Sequence, residues 1–578
     1  MIIDDFFLNP TEPCHKQYEA MRMFFVDNKT AAQVAKYFGY TESTVYTLVR
    51  NFRAKQKQSK ENHFFLRKAA GRKIRPETNQ AKTVIIALRK KYFSVQDIKG
   101  ILDAQQISIS ERQINNILKQ EGFARLPRRS RLVKNQIMTT AKINAQQSDL
   151  LKNKSDSFYS QEHIGILCLL PYIKSFGIDK IIETSGFPGS KTIPSLNAIL
   201  SFIAIKLSNI RRYSSDDIWC MDRSLGLFAG LNVLPKTAWF TSYSHRVTRD
   251  MNISLLRQLN ALWIKKELVS DTANLDFVTI PYWGENTHLE NNWSGKRTKS
   301  LPSILAAVSQ DPDSGIITYG DTTIKHDNTN DVVVEFLDFY KDAGGDDLKY
   351  LVFDSKFTTY QNLSKLDDKE VKFITIRRRS QKMIDRLNNV PKENWDKIRI
   401  PSANKTRQIK VLDEVVCIKD YGKKIRQLSI TSSGRIKPAI IITNDFELST
   451  KKIVKKYARR WLVEKCISEQ THFFHLNNVS SSMVIKVDFD LTMTILTYNL
   501  YRLIAQDLCG YNNCTPATLH DKFFLNGGSV NISEDEIIIA LKKKRHLPAI
   551  LMAMKKFNNR RITWLHNKKI SFVGASYS

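Results

Sequence analysis

The sequence predicts a multidomain α+β protein, and three observations lead to this prediction. The chain has 578 residues, more than a single hydrophobic core normally organises. Its hydrophobic fraction of 42% is ample for globular packing and unlike that of a disordered chain. Apolar residues recur mainly at helical spacing up to residue 268, and strand-like runs alternate with helical segments beyond it. A helical N-terminal half followed by a mixed α/β region is therefore expected.

The balance of charge predicts a polyanionic partner. Lysine and arginine number 89, against 57 aspartate and glutamate residues, which leaves a formal net charge of +32. Chains this basic are typical of proteins that bind nucleic acid. A generally lysine-rich proteome would produce the same imbalance, so the motifs have to decide between the two.

Cysteine content and hydropathy argue against several other classes. The seven cysteines are an odd number and include no CxxC pair, so neither a disulfide framework nor a zinc site is indicated. The apolar stretch 195–210 is short and is interrupted by Asn197 and Lys206, which predicts a buried helix and no membrane span. The first residues lack the basic segment that opens a signal peptide. We therefore expect a cytoplasmic protein with reduced thiols and no membrane partner.

Residues 1–56 are predicted to form a helix-turn-helix unit. Thr30 precedes a helical stretch that ends at Gly39, and a second helix rich in Ser, Thr and Tyr starts at Thr41. Basic residues follow the second helix, which favours DNA binding over the alternative of an ordinary helical hairpin. The residues expected to contact DNA are Glu42, Ser43, Thr44, Tyr46, Arg50 and Arg53.

The next two segments repeat this pattern. Residues 57–81 are polar and basic, and they are predicted to be a linker that lies along phosphates. Residues 82–135 are predicted to hold a second helix-turn-helix, whose second helix opens at Ser110, followed by an Arg-rich extended arm. Alternatively, only one of the two units reads DNA and the other serves for packing. The residues expected to contact DNA here are Arg112, Gln113, Asn116, Arg125, Arg128, Arg129 and Arg131.

Residues 158–268 are predicted to form a helical domain. The segment is apolar and contains the buried helix predicted at 195–210. Several basic residues, Arg246 and Arg249 among them, are expected to give this domain a basic face. Such a domain would help the protein to dimerise or to bind DNA.

Beyond residue 268, two aspartates fall at strand-like runs. Asp276 lies inside one run, and Asp354 ends another 78 residues later. A hairpin and a helix at 332–344 separate the two runs, and a further strand is predicted at 371–376. This order of elements predicts a mixed sheet in which an antiparallel meander feeds a parallel pair. In open α/β sheets, ligands gather at the ends of strands.

A third acid lies on a helix predicted over 449–474, which contains neither Pro nor Gly. The helix presents Tyr457, Arg460 and Glu464 on one face. An isolated acid beside an Arg on a helix is usually only a surface ion pair. Two strand-borne carboxylates and one helix-borne carboxylate can instead converge on hard cations, which prefer oxygen ligands. Two such ions close together stabilise an in-line displacement at phosphorus.

The pattern Tyr457-x2-Arg460-x3-Glu464 resembles the signature of DDE transposases of bacterial insertion sequences. The catalytic core of these proteins is RNase H-like. The resemblance implies that Asp276, Asp354 and Glu464 are the catalytic residues. It also implies that these three carboxylates hold two Mg²⁺ ions per active site, which Mn²⁺ can replace.

The same resemblance implies contacts to DNA from the signature helix. Tyr457 and Arg460 are expected to bind DNA near the cleaved bond. The family pattern continues with a Lys at the position where this chain has Thr471. Lys465 lies nearby and is expected to contribute the missing charge.

Domain limits also follow from the resemblance. It implies an RNase H-like catalytic domain over residues 269–397 and 446–510. A β-rich insertion at 398–445 would separate the second Asp from the Glu, because short strand-like runs and turn signals alternate there. Residues 511–578 are basic and are predicted to form a small α/β C-terminal region.

The implied function is that of a transposase. It would bind the terminal inverted repeats of an insertion sequence, cleave the element ends and join them to target DNA. Its partners would be these double-stranded DNAs and a second copy of the chain in the DNA complex. In a bacterial cytoplasm it would associate with the nucleoid when bound to DNA. Two alternatives remain open: an RNase H-like structure-specific nuclease, and a non-catalytic DNA-binding regulator derived from a transposase.

Overall fold

The computed structural model divides the chain into two compact units, Met1–Asn79 and Gln80–Ser578. Four residues of the predicted arm, Arg125, Arg128, Arg129 and Arg131, lie outside the residues that it describes. The structure describes residues 10, 12–58, 76–90, 95, 98–99, 102, 107, 109–123, 156–211, 218–283, 289–294, 298–357, 359–402, 405–432, 438–478 and 483–575.

The first unit contains the predicted pair of helices. Thr30 caps the first of them, because its hydroxyl accepts a hydrogen bond from the Gln33 backbone and the Gln33 side chain accepts one from the Thr30 backbone. Gly39 ends this helix with a φ of 66°, a conformation that favours glycine. Val34 and Val45 are buried between the two helices. The helices are Pro13–Phe25, Ala31–Phe38 and Glu42–Gln58.

Helices fill much of the described part of the second unit. The helix Pro76–Lys90 spans the boundary between the units, so the linker predicted at 57–81 is helical at its C-terminal end. Ser110 and Gln113 form a second capping box at the start of the next helix, as the sequence indicates. The helices that follow are Glu111–Gln120, Leu170–Ser175, Ile178–Thr184, Ser195–Leu207, Arg223–Phe228, Thr237–Tyr243, Arg249–Lys265, Val332–Asp342, Tyr360–Asp368, Gln381–Asn388, Thr450–Ala458, Trp461–His472, Val484–Asp507, Pro516–Leu519 and Leu547–Met554.

The strands of the described residues form two mixed sheets in the second unit. Numbered in chain order, they are β1 Asp156–Ser160, β2 Thr272–Pro281, β3 Asn291–Ser294, β4 Lys299–Gln310, β5 Ile317–Ile324, β6 Tyr350–Phe353, β7 Lys372–Ile376, β8 Asp396–Ser402, β9 Lys405–Cys417, β10 Lys424–Thr431, β11 Ala439–Thr443, β12 Gly528–Ile532, β13 Glu536–Leu541, β14 Arg560–Ile562 and β15 Lys568–Gly574.

The larger sheet follows the predicted order of elements. Its strands run β3–β4–β2–β6–β7–β11–β10–β9–β8, and β5 also pairs with β4. β2 is antiparallel to β4, whereas β2, β6 and β7 are parallel to one another. An antiparallel meander therefore feeds a parallel pair. The β-rich segment predicted as an insertion at 398–445 does not form a separate sheet, because β11 pairs with β7 and β10 to β8 extend the same surface.

The smaller sheet joins the start of the predicted helical domain to the C-terminal region, although the sequence analysis assigns these two parts to different domains. Its order is β1–β12–β13–β15–β14. β1 pairs antiparallel with β12, from Asp156 opposite Ile532 to Ser160 opposite Gly528. Residues 156–160 are therefore a strand of the C-terminal α/β region, although the helical domain was predicted to begin at residue 158. The rest of the segment up to residue 268 is mainly helical in its described part, as expected.

A long buried helix, Val484–Asp507, backs the larger sheet. The Asn499 side chain accepts a hydrogen bond from the Ile317 backbone N–H and donates one to its carbonyl, each of 2.9 Å. The helix thereby satisfies the buried backbone N–H and C=O of Ile317 in β5. Within the described residues, no helix combines the length and apolar character needed to cross a membrane.

Two further predictions are wrong, one about a helix and one about a basic surface. The single helix predicted over 449–474 is two helices, Thr450–Ala458 and Trp461–His472, separated at Arg459 and Arg460. Arg249 does not belong to a basic surface, because it is buried against the carboxylates of two other elements.

Candidate active site

Two of the predicted acids lie side by side on neighbouring strands. Asp276 lies within β2, and Asp354 follows the last residue of β6. The strands are parallel, and their last paired residues are Asn274 and Val352. Each acid lies two residues beyond this pair, so the same register brings Asp276 opposite Asp354. Both side chains line one cleft.

A break in the signature helix brings the third acid to the sheet. The buried Asn274 side chain donates a hydrogen bond of 3.1 Å to the carbonyl of Arg459. This carbonyl accepts a second bond from the Leu462 backbone N–H, three residues on, in place of the i+4 bond of an α-helix. The chain therefore turns tightly at this point, and Arg460 reaches the strand that carries Asp276.

Arg460 links the strand-borne and helix-borne carboxylates. Its Nη1 lies 2.7 Å from Oδ2 of Asp276, and its Nη2 forms an ion pair with Glu464. The guanidinium lies 5.8 Å from the centroid of the Tyr457 ring. The residues of the signature therefore meet at Asp276, although the helix that carries them is not continuous.

Burial and mutual repulsion perturb the charges of this group. Burial raises the pKa of Asp276 to about 6, against the opposing effect of Arg460, and the nearby Glu464 and Asp354 charges add to the rise. Burial also raises the pKa of Tyr457 to about 12. Such shifts are common where carboxylates share a functional site.

The cleft beside these acids has a volume of about 1230 Å³. Asp276 and Asp354 lie along it with Thr471, the residue at the signature Lys position. Trp293 also lines the cleft and has 59% of its surface exposed. A cleft of this size, with acids on one side and an exposed aromatic ring in its lining, has room for a strand of nucleic acid.

Residues 284–500 match a family model described as the transposase DDE domain. This chain carries a transposase DDE domain. The match contains Asp354, Arg460 and Glu464 and begins a few residues after Asp276, which lies on the preceding strand. No curated protein matches the chain.

The donor set of the DDE domain fits a hard cation in its chemistry. Asp276, Asp354 and Glu464 offer only carboxylate oxygens, the ligands that Mg²⁺ prefers. Within the part of the chain that the structure describes, no three Asp, Glu, His or Cys side chains are arranged closely enough to hold a metal ion. The guanidinium of Arg460 forms ion pairs with two of the acids, Asp276 and Glu464. A cation at this point therefore requires Arg460 to move.

Metal affinity is expected to decrease as the pH falls through about 6. The pKa of Asp276 is raised to about 6, and a protonated carboxyl is a poor ligand. Below that pH, each unit should weaken Mn²⁺ binding about tenfold, because one proton competes with the ion. Titrations of Mn²⁺ at a series of pH values test this. Asp276→Asn should bind weakly without that pH dependence, and a wild-type affinity that stays constant across pH 6 would contradict the prediction.

The other predicted DNA-binding residues that the structure describes lie mostly on exposed helix faces. Lys465 has its ammonium 3.9 Å from Glu469 and does not line the cleft. Gln113 is exposed, but its amide oxygen is engaged by the Ser110 cap. Besides Lys465 and Gln113, the exposed residues of this group are Glu42, Ser43, Thr44, Tyr46, Arg50, Arg53, Arg112 and Asn116.

Two basic residues of the cleft were missed in the sequence. Lys356 follows Asp354 by two positions, and Arg378 is the middle member of a run of three arginines after β7. The sequence held one signal for them, because both residues follow predicted strands, and ligands gather at the ends of strands in such sheets. Neither residue belongs to the signature, so the pattern alone does not indicate them.

Proposed function

We propose that this chain is the transposase of an insertion sequence. It binds the terminal inverted repeats, cleaves DNA at the element ends and joins the freed 3′ ends to target DNA. The observation that carries this proposal is that one arginine pairs Asp276 with Glu464, while Asp354 ends the neighbouring strand, in and beside the region that matches a transposase DDE domain. The strand order β5–β4–β2–β6–β7 supports an RNase H-like core for this domain.

The three carboxylates would hold two Mg²⁺, or Mn²⁺ in its place. When bound, such ions lower the pKa of water and stabilise charge on the attacking and leaving oxygens. Asp276 and Asp354 would orient one end of the reacting phosphate from the sheet side. Glu464 would approach from the helix side, once Arg460 has turned from the acids toward DNA.

A strand-transfer assay tests the proposal and separates it from the two alternatives. Purified protein is incubated with a labelled duplex that ends in the element's terminal repeat, with target plasmid and with Mg²⁺ or Mn²⁺. Joined products are expected. Cleavage without joining would indicate a nuclease, and specific binding without cleavage would indicate a regulator. Either result would overturn the proposal.

Recognition of the repeats is assigned to the N-terminal helices. Deleting residues 1–75, which removes the first compact unit up to the start of the helix Pro76–Lys90, should remove most sequence-specific binding and reduce the salt dependence of what remains. The reason is the loss of the exposed residues Ser43, Tyr46 and Arg50 from the helix Glu42–Gln58 of that unit. Gel-shift titrations with repeat and random duplexes measure the change, and circular dichroism monitors folding of the remainder. Undiminished specific binding would place recognition elsewhere.

Arg460 is expected to serve both the acids and the DNA. Arg460→Ala should slow cleavage and weaken binding of the cleaved end, because a guanidinium forms paired hydrogen bonds to phosphate oxygens. Single-turnover cleavage and titration with pre-cleaved duplex measure the two effects. Arg459→Ala is the neighbouring control, since Arg459 binds Asp313 and the Pro312 carbonyl. Equal effects of the two changes would contradict the assignment.

Coordinated cutting requires two ends to be held together, so the active species is proposed to be a homodimer on DNA. Cross-linking or sizing of the protein with and without paired ends tests this point. Full-rate cleavage of an isolated end by a single copy of the chain would count against it.

A further inference from the structure

The cleft lacks the positive charge that the signature normally supplies. Thr471, at the Lys position, donates its hydroxyl to the carbonyl of Ser468 at 3.0 Å. Lys465, the neighbouring candidate, lies beside Glu469 and outside the cleft lining. Neither residue is therefore placed to neutralise a phosphate in the cleft.

Two other cations line the cleft, each just after the end of a strand. Lys356 and Arg378 are the only lysine and arginine among the described residues that line the cleft, and both are exposed. Neither makes a hydrogen bond or an ion pair to another described residue. The same lining contains three acids, Asp276, Asp354 and Asp420. Without these two cations, the cleft would repel a polyanion.

The local backbone explains why Arg378 alone of its run points into the cleft. Residues 377–379 directly follow β7, and the Arg377 backbone N–H still donates to the carbonyl of Ile440 in β11. Arg377 donates to the Gln427 side chain at 2.6 Å, and Arg379 donates to the Pro438 carbonyl at 2.7 Å. Neither Arg377 nor Arg379 lines the cleft, whereas Arg378 does. The two outer arginines are held by the sheet, which leaves the middle one available to a ligand.

We infer that Lys356 and Arg378 bind the phosphate next to the cleaved bond and replace the lysine that is missing at position 471. The inference rests on the proposed function and identifies the residues that hold the DNA strand in this site. Arg378 supplies a planar fork for two phosphate oxygens, and Lys356 supplies a point charge beside Asp354. The phosphate is thereby held by the sheet side of the cleft and not by the signature helix.

The test compares two double variants of the full-length protein. Lys356→Gln/Arg378→Gln removes the proposed contacts. Lys365→Gln/Lys382→Gln removes the same charge from exposed lysines on the two following helices, outside the cleft. The probe is a terminal-repeat duplex without divalent metal, either unmodified or with a methylphosphonate at the phosphate next to the cleavage site.

The first double variant should bind the unmodified duplex about tenfold more weakly than the control variant. The slope of log affinity against log salt should fall by about 0.9 for each phosphate that the protein no longer neutralises. The methylphosphonate should weaken wild-type binding but leave the first double variant unchanged. Equal affinities of the two double variants, or an undiminished methylphosphonate effect in the first, would overturn the inference.

Adding Thr471→Lys to the first double variant provides a gain-of-function test. If the three side chains serve one phosphate, the new lysine should restore both affinity and sensitivity to the methylphosphonate. Failure to restore them would show that the contacts are not equivalent. A wild-type protein that neither binds the repeat nor cleaves it would instead refute the proposed function, which keeps the two failures distinguishable.

Discussion

Glu464→Gln should abolish cleavage while leaving binding to the terminal repeat nearly unchanged. The substitution keeps the shape of the side chain but removes a charged ligand on the helix side of Asp276. Loss of a charged ligand from such a site should remove several kcal/mol of transition-state stabilisation. The cleavage rate should therefore fall on the order of a thousandfold. Half of the Glu464 side chain is exposed, at 53%, so the fold does not depend on it.

Glu469→Gln is the matched control for this experiment. Glu469 lies on the same helix, is mostly buried, and accepts a hydrogen bond of 3.1 Å from the Tyr498 hydroxyl. Burial raises the pKa of Glu469, which does not line the cleft. A glutamine retains an acceptor for Tyr498, so cleavage should stay near the wild-type rate. If Glu464→Gln cleaves normally and Glu469→Gln does not, the wrong acid of this helix has been assigned.

The experiment also bears on Arg460. In the structure, this arginine binds Asp276 and Glu464 at once. Removing the charge of Glu464 leaves the guanidinium held by Asp276 alone. Glu464→Gln should therefore retain the affinity for cleaved ends that Arg460→Ala loses. The two variants separate the role of the carboxylate from that of the arginine.

Features that depend on neighbouring residues were predictable from the sequence. The helix limits at Thr30 and Gly39, and the helix start at Ser110, are confirmed, because side-chain caps and a left-handed glycine act within one turn. The strands that carry Asp276 and Asp354 are also confirmed, since apolar runs of that length identify buried strands.

Features that depend on distant residues were not predictable. The helix breaks at Arg459 because Asn274, 185 residues earlier, donates to its carbonyl. β8 to β11 join the larger sheet because β11 pairs with the edge of β7. The sequence pattern of these strands does not specify that partner. Lys356 and Arg378 belong to the cleft because two parallel strands end together there, which only the assembled sheet reveals.

The environment of Arg249 also depends on residues that are distant in the sequence. Its substitution is expected to have the second large effect, on stability. From the sequence, Arg249 is predicted to lie on a basic surface of the helical domain. In the fold, the Arg249 side chain is only 4% exposed, and it contacts Asp488 of the long helix and Asp321 of β5. The Asn252 side chain donates to Asp488 at 2.7 Å, and Thr322 donates at 3.1 Å. The network ties three elements together behind the sheet that carries the candidate active site.

Arg249→Met should destabilise the second unit by about 3–5 kcal/mol, because it leaves two buried carboxylates without their counter-charge. Arg257→Met, on the same helix, is the control: its pair with Asp342 is largely exposed, so its effect should stay within about 0.5 kcal/mol. Denaturant unfolding monitored by tryptophan fluorescence measures both.

The pH dependence of that loss provides a further check on its cause. Burial raises the pKa of Asp488 in the wild type, and Arg249 opposes the rise. Removing the arginine raises the pKa further above its value in the unfolded chain. A carboxyl with a raised folded pKa favours folding when it is protonated and loses that contribution as the pH rises. The deficit of Arg249→Met should therefore shrink as the pH is lowered through the raised pKa of Asp488. A deficit that stays constant with pH would mean that lost packing, and not the unpaired charge of Asp488, causes the instability.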